Sequence, residues 1–218
     1  PGIIGEIERE LPVNAPCILY NGAGLYDLSA RRFLAMHPVS RKACARVAAR
    51  AVQLQPNTCV QVFTDSAIYE TNPLQRDDPA TVNERIPIVK SPLEEVPDIF
   101  LKFILSQDPE MLKKLIPLLD LPALCDELSV FQSSDVYLEC VAKGVSKGAA
   151  LADVRARCEN VQKILAVGDY ENDLEMIRLA DVGGAPDNAI GAVKRAADVV
   201  VAADNNHSAV ARFLEQVL

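Results

Sequence analysis

Two aspartates and an asparagine follow a short apolar run near the C-terminal end of the sequence. Residues 164–167 read ILAV and residues 168–177 read GDYENDLEMI, which places Asp169, Asn172 and Asp173 just after the run. A short apolar run between polar residues is typical of a buried parallel strand, and the apolar spacing after it predicts a helix. Ligands of open parallel sheets bind at the carboxyl ends of the strands. We therefore expect Asp169 and Asp173 one helical turn apart on one face, with their oxygens converging on one point.

Carboxylates in this arrangement suit a hard cation. Mg²⁺ prefers carboxylate and water oxygens, and a phosphate completes its coordination shell. We predict that Asp169 and Asp173 bind Mg²⁺, with Asn172 beside them at the amino end of the helix. The alternative is that these carboxylates only cap the helix and complement its dipole.

A lysine lies in a second segment whose spacing suggests chemistry. Residues 144–148 read GVSKG and precede a helical pattern at residues 148–158. Ser146 is a suitable N-cap for that helix, and the Lys147 ammonium is a mobile point charge that can reach a phosphate. The alternative is a solvated surface lysine, which is the commoner place for this residue type.

Residues 137–218 closely resemble the haloacid dehalogenase-like phosphatases, and in particular the Cof-type branch, whose caps are α/β insertions. The resemblance rests on GVSKG and GDxxND, on the pair Asn188-Ala189, on AAD at residues 196–198 and on the pair Asn21-Gly22. It implies that Lys147 binds phosphate and Asp169 binds the metal. It also implies catalytic roles for Lys147 and Asp173, and contacts to the substrate from Lys147, Asn172, Asn21 and Asn188.

The resemblance implies transfer of a phosphoryl group to an aspartate, followed by hydrolysis of the aspartyl phosphate with Mg²⁺ neutralising charge. The family's nucleophile belongs to an N-terminal DxD motif, and no DxD occurs in these 218 residues, where Asp77 and Asp78 are adjacent. We therefore expect a phosphatase of a small phosphorylated metabolite that is inactive as this chain alone. The alternative is a non-catalytic phosphate-binding or regulatory remnant of the same fold.

The fold implied is α/β: an incomplete Rossmann-like parallel-sheet core at residues 1–24 and 143–218, with an α/β cap domain inserted at residues 25–142. We predict a helix at residues 3–11, a core strand at 17–20 and an irregular loop at 71–85. In the cap we predict helices at 41–54 and 109–119 and strands at 59–63, 67–70, 99–105, 128–132 and 136–140. Candidate residues for substrate selection by the cap are Asp65, Tyr69 and Arg76.

The missing first strands predict a gap in the core, between the strand at 17–20 and the strand at 164–167. The sequence opens on Pro1 without an initiator methionine, which suggests a C-terminal fragment or a gene product that has lost its nucleophile. Two absent strands leave a gap of roughly 14 Å and unpaired backbone groups, which a stable fold should not tolerate. We expect an N-terminal piece or a swapped neighbouring chain to fill the gap, or residues 17–20 to pair elsewhere.

Composition narrows the remaining function classes. The formal net charge of −8, from 22 basic and 30 acidic residues, argues against non-specific nucleic-acid binding. The sequence contains no membrane-length apolar run and no signal peptide, so we predict a cytoplasmic protein. The absence of a membrane-length run also disfavours the cation-pumping ATPases, which share a GDxxND-type segment. Dinucleotide-binding proteins are disfavoured because GGAPDNAIG lacks their GxGxxG spacing.

Cysteine and histidine give little support for a soft-metal site. The six cysteines form no CxxC pair, and most lie in apolar patterns, so we predict buried, reduced thiols and no zinc. The two histidines are His37 and His207, too few for a His-rich metal site. We interpret His207 as a surface residue at the start of the last helix.

Overall fold

The structure is a computed structural model that describes residues 11–72, 88–97 and 99–218. The chain forms two compact units, which divide between Val145 and Ser146. Almost all of the predicted helix at 3–11, most of the predicted loop at 71–85, and Arg76, Asp77 and Asp78 lie outside the described residues. The predicted α/β class is confirmed, since both units combine sheets and helices.

The first unit begins with a small antiparallel sheet of three strands. These are β1 (Cys17–Leu19), β2 (Gly24–Asp27) and β3 (Arg32–Met36), in that spatial order. We predicted residues 17–20 as a strand of the parallel core, whereas β1 pairs antiparallel with β2, with Cys17 opposite Tyr26. The reason is the short connection, a 3₁₀ turn at Tyr20–Gly22, because adjacent strands joined by a tight turn run antiparallel. The described part of residues 1–24 therefore belongs to the first unit.

A six-stranded sheet forms the rest of the first unit. Its strands, in chain order, are β4 (Cys59–Phe63), β5 (Ile68–Asn72), β6 (Ile88–Lys90), β7 (Lys102–Ser106), β8 (Leu128–Ser134) and β9 (Tyr137–Ala142). The spatial order is β6-β5-β4-β7-β9-β8, and all pairs are antiparallel except β5 with β6. The helices are α1 (Arg41–Leu54), α2 (Pro109–Leu119) and α3 (Leu121–Leu124), and a 3₁₀ turn lies at Leu93–Glu95.

Capping and apolar spacing explain where the two long helices begin and which face they bury. The Ser40 hydroxyl accepts a hydrogen bond from the Ala43 amide at the start of α1, and Asp108 with Pro109 begins α2. Both helices pack their apolar stripes on one face of the six-stranded sheet. The buried residues of that core include Val47, Ala51, Val60, Val62, Phe103, Leu105, Leu112, Leu115, Leu138 and Cys140.

The second unit contains a parallel sheet of three strands and four helices. The strands are β10 (Leu165–Val167), β11 (Val182–Ala185) and β12 (Val199–Val200), in the spatial order β10-β11-β12. The helices are α4 (Lys147–Arg157), α5 (Leu174–Leu179), α6 (Gly191–Ala196) and α7 (Ala209–Val217). Within the described residues, the second edge of β10 pairs with no strand.

Helices cover both faces of this parallel sheet. On one face, Ala166 and Ala185 pack with Ile177 of α5 and Val193 of α6. On the other face, Leu165 and Val167 pack against α7, whose Phe213 is fully buried. The result is a three-layer arrangement that directs the carboxyl ends of β10 and β11 toward one edge. In the described part of the chain, no helix is both long and apolar enough to cross a membrane.

Candidate functional site

Asp173 is a buried carboxylate at the carboxyl end of β10. It lies in a 3₁₀ turn, Glu171–Asp173, directly before α5, and only 4% of the residue is exposed. Its Oδ1 accepts a hydrogen bond from Lys147 Nζ at 2.6 Å. Its Oδ2 accepts hydrogen bonds from the backbone amides of Asp169 at 3.0 Å and Tyr170 at 3.3 Å. Both oxygens are therefore engaged, as a buried charge requires.

Gly168 makes this close approach possible. A Cβ at position 168 would lie 2.3 Å from the Cβ and 2.5 Å from the Cγ of Asp173. A larger residue at position 168 would push the Asp173 carboxylate away from the two backbone amides that donate to it. Lack of space beside Asp173 thus explains why the GDxxND segment begins with a glycine.

Lys147 reaches Asp173 from the first turn of α4. Ser146 caps that helix by accepting a hydrogen bond from the Ala149 amide at 2.9 Å. Gly148 is buried, and a Cβ there would lie 2.4 Å from the Cγ of Glu175, so α4 and α5 approach closely. The Lys147 side chain is 28% exposed, which leaves its ammonium open to solvent on one side. An ammonium carries three donors, so donors beyond the one used by Asp173 are available for an anion.

Asp169 is held by its backbone and presents its carboxylate to solvent. Its carbonyl accepts a hydrogen bond from the Ile190 amide at 3.0 Å, its amide donates to Asp173, and the residue is exposed. Asp173 accepts hydrogen bonds from this turn and from Lys147, and the exposed Asp169 lies beside it. Binding of one metal ion by both carboxylates stays a prediction. Among the described residues, no group of three or more His, Cys, Asp or Glu side chains could hold a metal ion.

A pocket of about 440 Å³ opens beside Asp169. Its walls come from the end of β10, the residue after β11 and the start of α7. They are Val167, Gly168, Asp169, Pro186, Asn205, Ser208, Ala209 and Val210. The pocket therefore places an exposed carboxylate next to a mostly apolar wall at the edge where β10 ends.

Asn188, predicted to contact the substrate, orders the loop that lines this pocket. Its Oδ1 accepts a hydrogen bond from the Asn205 amide at 3.0 Å, and the Asp187 amide donates to the Ala203 carbonyl at 2.9 Å. Sequence reasoning did not select Asn205. Its position after β12 was the available signal, because loops that follow parallel strands gather at one edge.

The other predicted residues lie in different places. Asn172 is half-buried in the 3₁₀ turn beside Asp173, and His207 is exposed before α7, with its Nδ1 2.6 Å from Asp204 Oδ1. That hydrogen bond lowers the pKa of the Asp204 carboxyl.

Two of the predicted residues in the first unit, Asn21 and Asp65, interact with other side chains of that unit. Asn21 belongs to that unit, where its Nδ2 donates to Glu139 Oε2 at 2.6 Å. Asp65 is exposed. Burial of Tyr20, together with the charge of Asp65, raises the pKa of Tyr20 to about 12. Tyr69 packs against the core of the six-stranded sheet. The roles predicted for these residues stay predictions.

Comparison with known proteins supplies the family. The family described as haloacid dehalogenase-like hydrolase matches residues 2–214. The chain belongs to this family. A solved HAD/COF-like hydrolase of Plasmodium vivax has a similar fold, with a TM-score of 0.77 at 21% identity over 90% of this chain and 70% of that chain. This likeness shows the fold, and the Cof-type assignment stays a prediction.

Two curated phosphatases are similar to about a third of this haloacid dehalogenase-like hydrolase. The phosphoglycolate phosphatase of Methanopyrus kandleri is 40% identical over 81 residues, 35% of this chain and 33% of that protein. The 5-amino-6-(5-phospho-D-ribitylamino)uracil phosphatase of Bacillus subtilis is 39% identical over 75 residues, 34% of this chain and 30% of that protein. These alignments span about a third of the length of each relative.

Proposed function

We propose that this chain belongs to a Mg²⁺-dependent phosphatase of small phosphorylated metabolites and supplies its phosphate and metal site. The observation that carries the proposal is the buried Asp173 carboxylate, which lies between the Lys147 ammonium and the amides of the strand-end turn. Asp173 thereby holds the Lys147 ammonium and the exposed Asp169 at one edge of a parallel sheet. A phosphate monoester needs that combination of a positive group and a metal ligand.

Lys147 and Asp173 act as a pair in this proposal. Asp173 holds the ammonium in one direction, so that its remaining donors point toward a phosphate oxygen. The same carboxylate holds the amides of Asp169 and Tyr170, which keeps the turn rigid while the substrate binds. We assign Asp173 this orienting role in catalysis, because both of its oxygens accept hydrogen bonds from groups that line the site.

The residues present fit a magnesium ion. Mg²⁺ is commonly held by one or two carboxylates together with waters and substrate phosphate, and the exposed Asp169 carboxylate offers such an oxygen. Asp169 would hold the ion, with Asp173 as a neighbour that fixes the turn rather than a direct ligand. When bound, the ion neutralises charge on the transferring phosphoryl group.

The nucleophile in this proposal is a carboxylate outside these 218 residues, because the sequence contains no DxD. Its oxygen attacks phosphorus, the bond to the leaving alkoxide breaks, and water then hydrolyses the acyl phosphate to release phosphate. Support comes from the edge of β10, which pairs with no strand among the described residues, and from the pocket beside Asp169. A further strand along that edge would end beside Asp169.

The substrate class is a small phosphorylated metabolite. The two curated relatives are phosphatases with different substrates in their names, which share only the phosphate monoester. A cytoplasmic location and the absence of nucleic-acid partners stay predictions. The second candidate, a phosphate-binding protein without catalysis, is favoured by the missing DxD.

The test begins with binding to the purified chain, measured calorimetrically with inorganic phosphate and Mg²⁺. We expect Lys147→Met to weaken phosphate binding roughly ten- to hundredfold, the worth of a hydrogen bond to a charged group, and Asp169→Asn to abolish the dependence on Mg²⁺. The control is Lys194→Met, which removes a half-buried lysine paired with Asp187. Equal phosphate affinity in Lys147→Met and Lys194→Met would contradict the proposed site.

Turnover separates the two candidates. We expect the chain alone not to hydrolyse 4-nitrophenyl phosphate, and an N-terminal segment that supplies a DxD strand to restore Mg²⁺-dependent hydrolysis. Phosphate binding without turnover in that completed protein would favour the non-catalytic alternative. Robust hydrolysis by a preparation shown by mass to contain only this chain would overturn the assignment of the nucleophile.

A further inference from the structure

Three polar side chains and one apolar side chain form a row across the six-stranded sheet, on the face opposite its helices. Paired residues on neighbouring strands share a face, and the strand registers align Glu70, Gln61, Ile104 and Glu139. The adjacent residues Val62, Phe103, Leu105, Leu138 and Cys140 belong to the helix-covered core. Glu139 has only 6% of its surface exposed, so its carboxylate lies on this second face and away from water.

Two nitrogen donors converge on one oxygen of this carboxylate. Lys102 Nζ and Asn21 Nδ2 each lie 2.6 Å from Glu139 Oε2. The Lys102 ammonium also lies 4.4 Å from the centroid of the Phe63 ring. An ammonium over an aromatic face and beside a carboxylate is held from two sides, so its position in turn fixes that of Glu139.

Asn21 lies in a turn with an uncommon backbone. Three successive residues have positive φ: Tyr20 at 52°, Asn21 at 56° and Gly22 at 100°. Side-chain-bearing residues adopt this left-handed region only when surrounding contacts compensate its cost. Within the turn, the Ala23 amide donates to the Tyr20 carbonyl at 3.1 Å. The bond from Asn21 to Glu139 joins positions 118 residues apart and anchors the same turn from outside.

We propose that Glu139, braced by Lys102, is a positioning residue that fixes the direction of the Asn21 side chain. The negative oxygen attracts the amide nitrogen of Asn21 and so decides which end of the amide points away from the sheet. This proposal rests on the proposed function only for its use, through the prediction from the sequence that Asn21 contacts the substrate. The competing explanation is that Glu139 serves only as a buried ion pair with Lys102.

The chain offers a matched control. Glu70 is also buried on the same row, and it accepts a hydrogen bond from Gln61 Nε2 at 3.2 Å. Glu139→Gln and Glu70→Gln therefore make the same chemical change in the same row, and only the first alters a group that contacts the turn. Lys102→Met adds a third variant, which removes the brace and leaves the carboxylate.

The experiment records the side-chain amide resonances of Asn21 by ¹⁵N NMR in the full chain and in the three variants. We expect Glu139→Gln to shift both Asn21 amide protons and to collapse their separation, Lys102→Met to shift them less, and Glu70→Gln to leave them unchanged. Unchanged Asn21 resonances in a folded Glu139→Gln protein would overturn the proposal. Equal shifts in Glu139→Gln and Glu70→Gln would overturn it as well, since a general change of the sheet would then explain both.

A kinetic measurement tests whether Asn21, positioned by Glu139, contributes to substrate binding. In a preparation completed to hydrolyse 4-nitrophenyl phosphate, we expect Glu139→Gln to raise KM several-fold with little change in kcat, and Glu70→Gln to change neither. Shifted Asn21 resonances with an unchanged KM would confirm the positioning and contradict substrate contact by Asn21. If no completed preparation turns over, the proposed function fails, while the NMR result still decides the positioning.

Discussion

Each unit of the protein buries one carboxylate against one lysine, with the same 2.6 Å separation, and the surroundings differ. In the second unit, Asp173 and Lys147 lie at the carboxyl end of a parallel strand, with Lys147 28% exposed. In the first unit, Glu139 and Lys102 lie in the middle of a sheet face, with Lys102 13% exposed and over a phenyl ring. The Lys147 ammonium is available to a ligand, whereas the Lys102 ammonium, over the phenyl ring, is not. Identical ion-pair geometry thus supports binding in one place and positioning in the other.

The groups that share each carboxylate deepen this contrast. Asp173 accepts from two backbone amides only three and four residues before it, so its geometry is set by a local turn. Glu139 accepts from a side chain 118 residues away, so its geometry depends on the tertiary fold. Removing Asp173 should therefore disturb one turn and one lysine. Removing Glu139 should disturb the contact between two sheets of the first unit.

The largest expected effect is that of Asp173→Ala. It leaves two backbone amides without their acceptor and Lys147 without its counter-charge, and such losses cost about 2–4 kcal/mol of unfolding free energy. We place the value toward the lower end, because the partly exposed ammonium can turn to water. Urea unfolding followed by circular dichroism measures the change.

The control for Asp173→Ala is Asp153→Ala, which breaks the exposed i,i+4 pair with Arg157. Surface pairs of this kind contribute about 0.3–0.5 kcal/mol. If both variants lose the same small amount, Asp173 is not the buried anchor that its contacts indicate.

Local patterns made part of the fold predictable. The helices predicted at residues 41–54 and 109–119 and the strand at 59–63 agree with α1, α2 and β4 residue by residue. Capping residues and apolar periodicity lie within those segments, so the sequence carries the information locally. The strands β2, β3 and β6 were missed, because strand formation depends strongly on tertiary context. The strand β1 was assigned to the wrong sheet, because Asn21-Gly22 was interpreted as a core motif and not as the turn that pairs β1 with β2.

The same division applies to the candidate site. Motif spacing selected Lys147, Asp169 and Asp173, which the structure brings together at one strand end. Spacing alone could not show that Asp173 turns to the backbone, because that depends on the space left by Gly168. Glu139 carries no local signal, and Asn205 has only its position after β12, since each acquires its contact through folding.

Gly168→Ala should have the next largest effect. The new Cβ would lie 2.3 Å from the Cβ of Asp173, and overpacking of this kind costs about 1–3 kcal/mol. Because the displaced group is Asp173, phosphate affinity should fall together with stability. Urea unfolding and phosphate titration of the same sample measure both.

Gly144→Ala is the matched glycine in the first unit. Its φ is +78°, and a Cβ there would meet nothing within 4 Å, so its cost is conformational, about 1–2 kcal/mol. We expect phosphate affinity to stay unchanged in this variant. A Gly168→Ala protein with normal phosphate binding would show that the site tolerates a displaced Asp173.

The smallest effect concerns thiol reactivity, where the two units also differ. The first unit buries Cys44, Cys59, Cys125 and Cys140, whereas the second unit has one cysteine, the half-buried Cys158 after α4. Burial raises the pKa of Cys44 to about 12, and burial with neighbouring thiols raises that of Cys140 well above its usual value. The thiolate is the reactive form, so at about pH 8 these two thiols are almost wholly protonated.

Timed iodoacetamide labelling, read by peptide mass spectrometry, tests this order. We expect Cys158 and the half-buried Cys17 to be modified first, and the four buried cysteines to react only as the first unit opens. Raising the pH moderately should not speed labelling of Cys44, because its raised pKa keeps the thiol neutral until the solution approaches that value. All six should react in urea. Modification of Cys44 or Cys140 ahead of Cys158 in the native protein would show that the core of the first unit admits water, and that its carboxylate and lysine are less shielded than their contacts indicate.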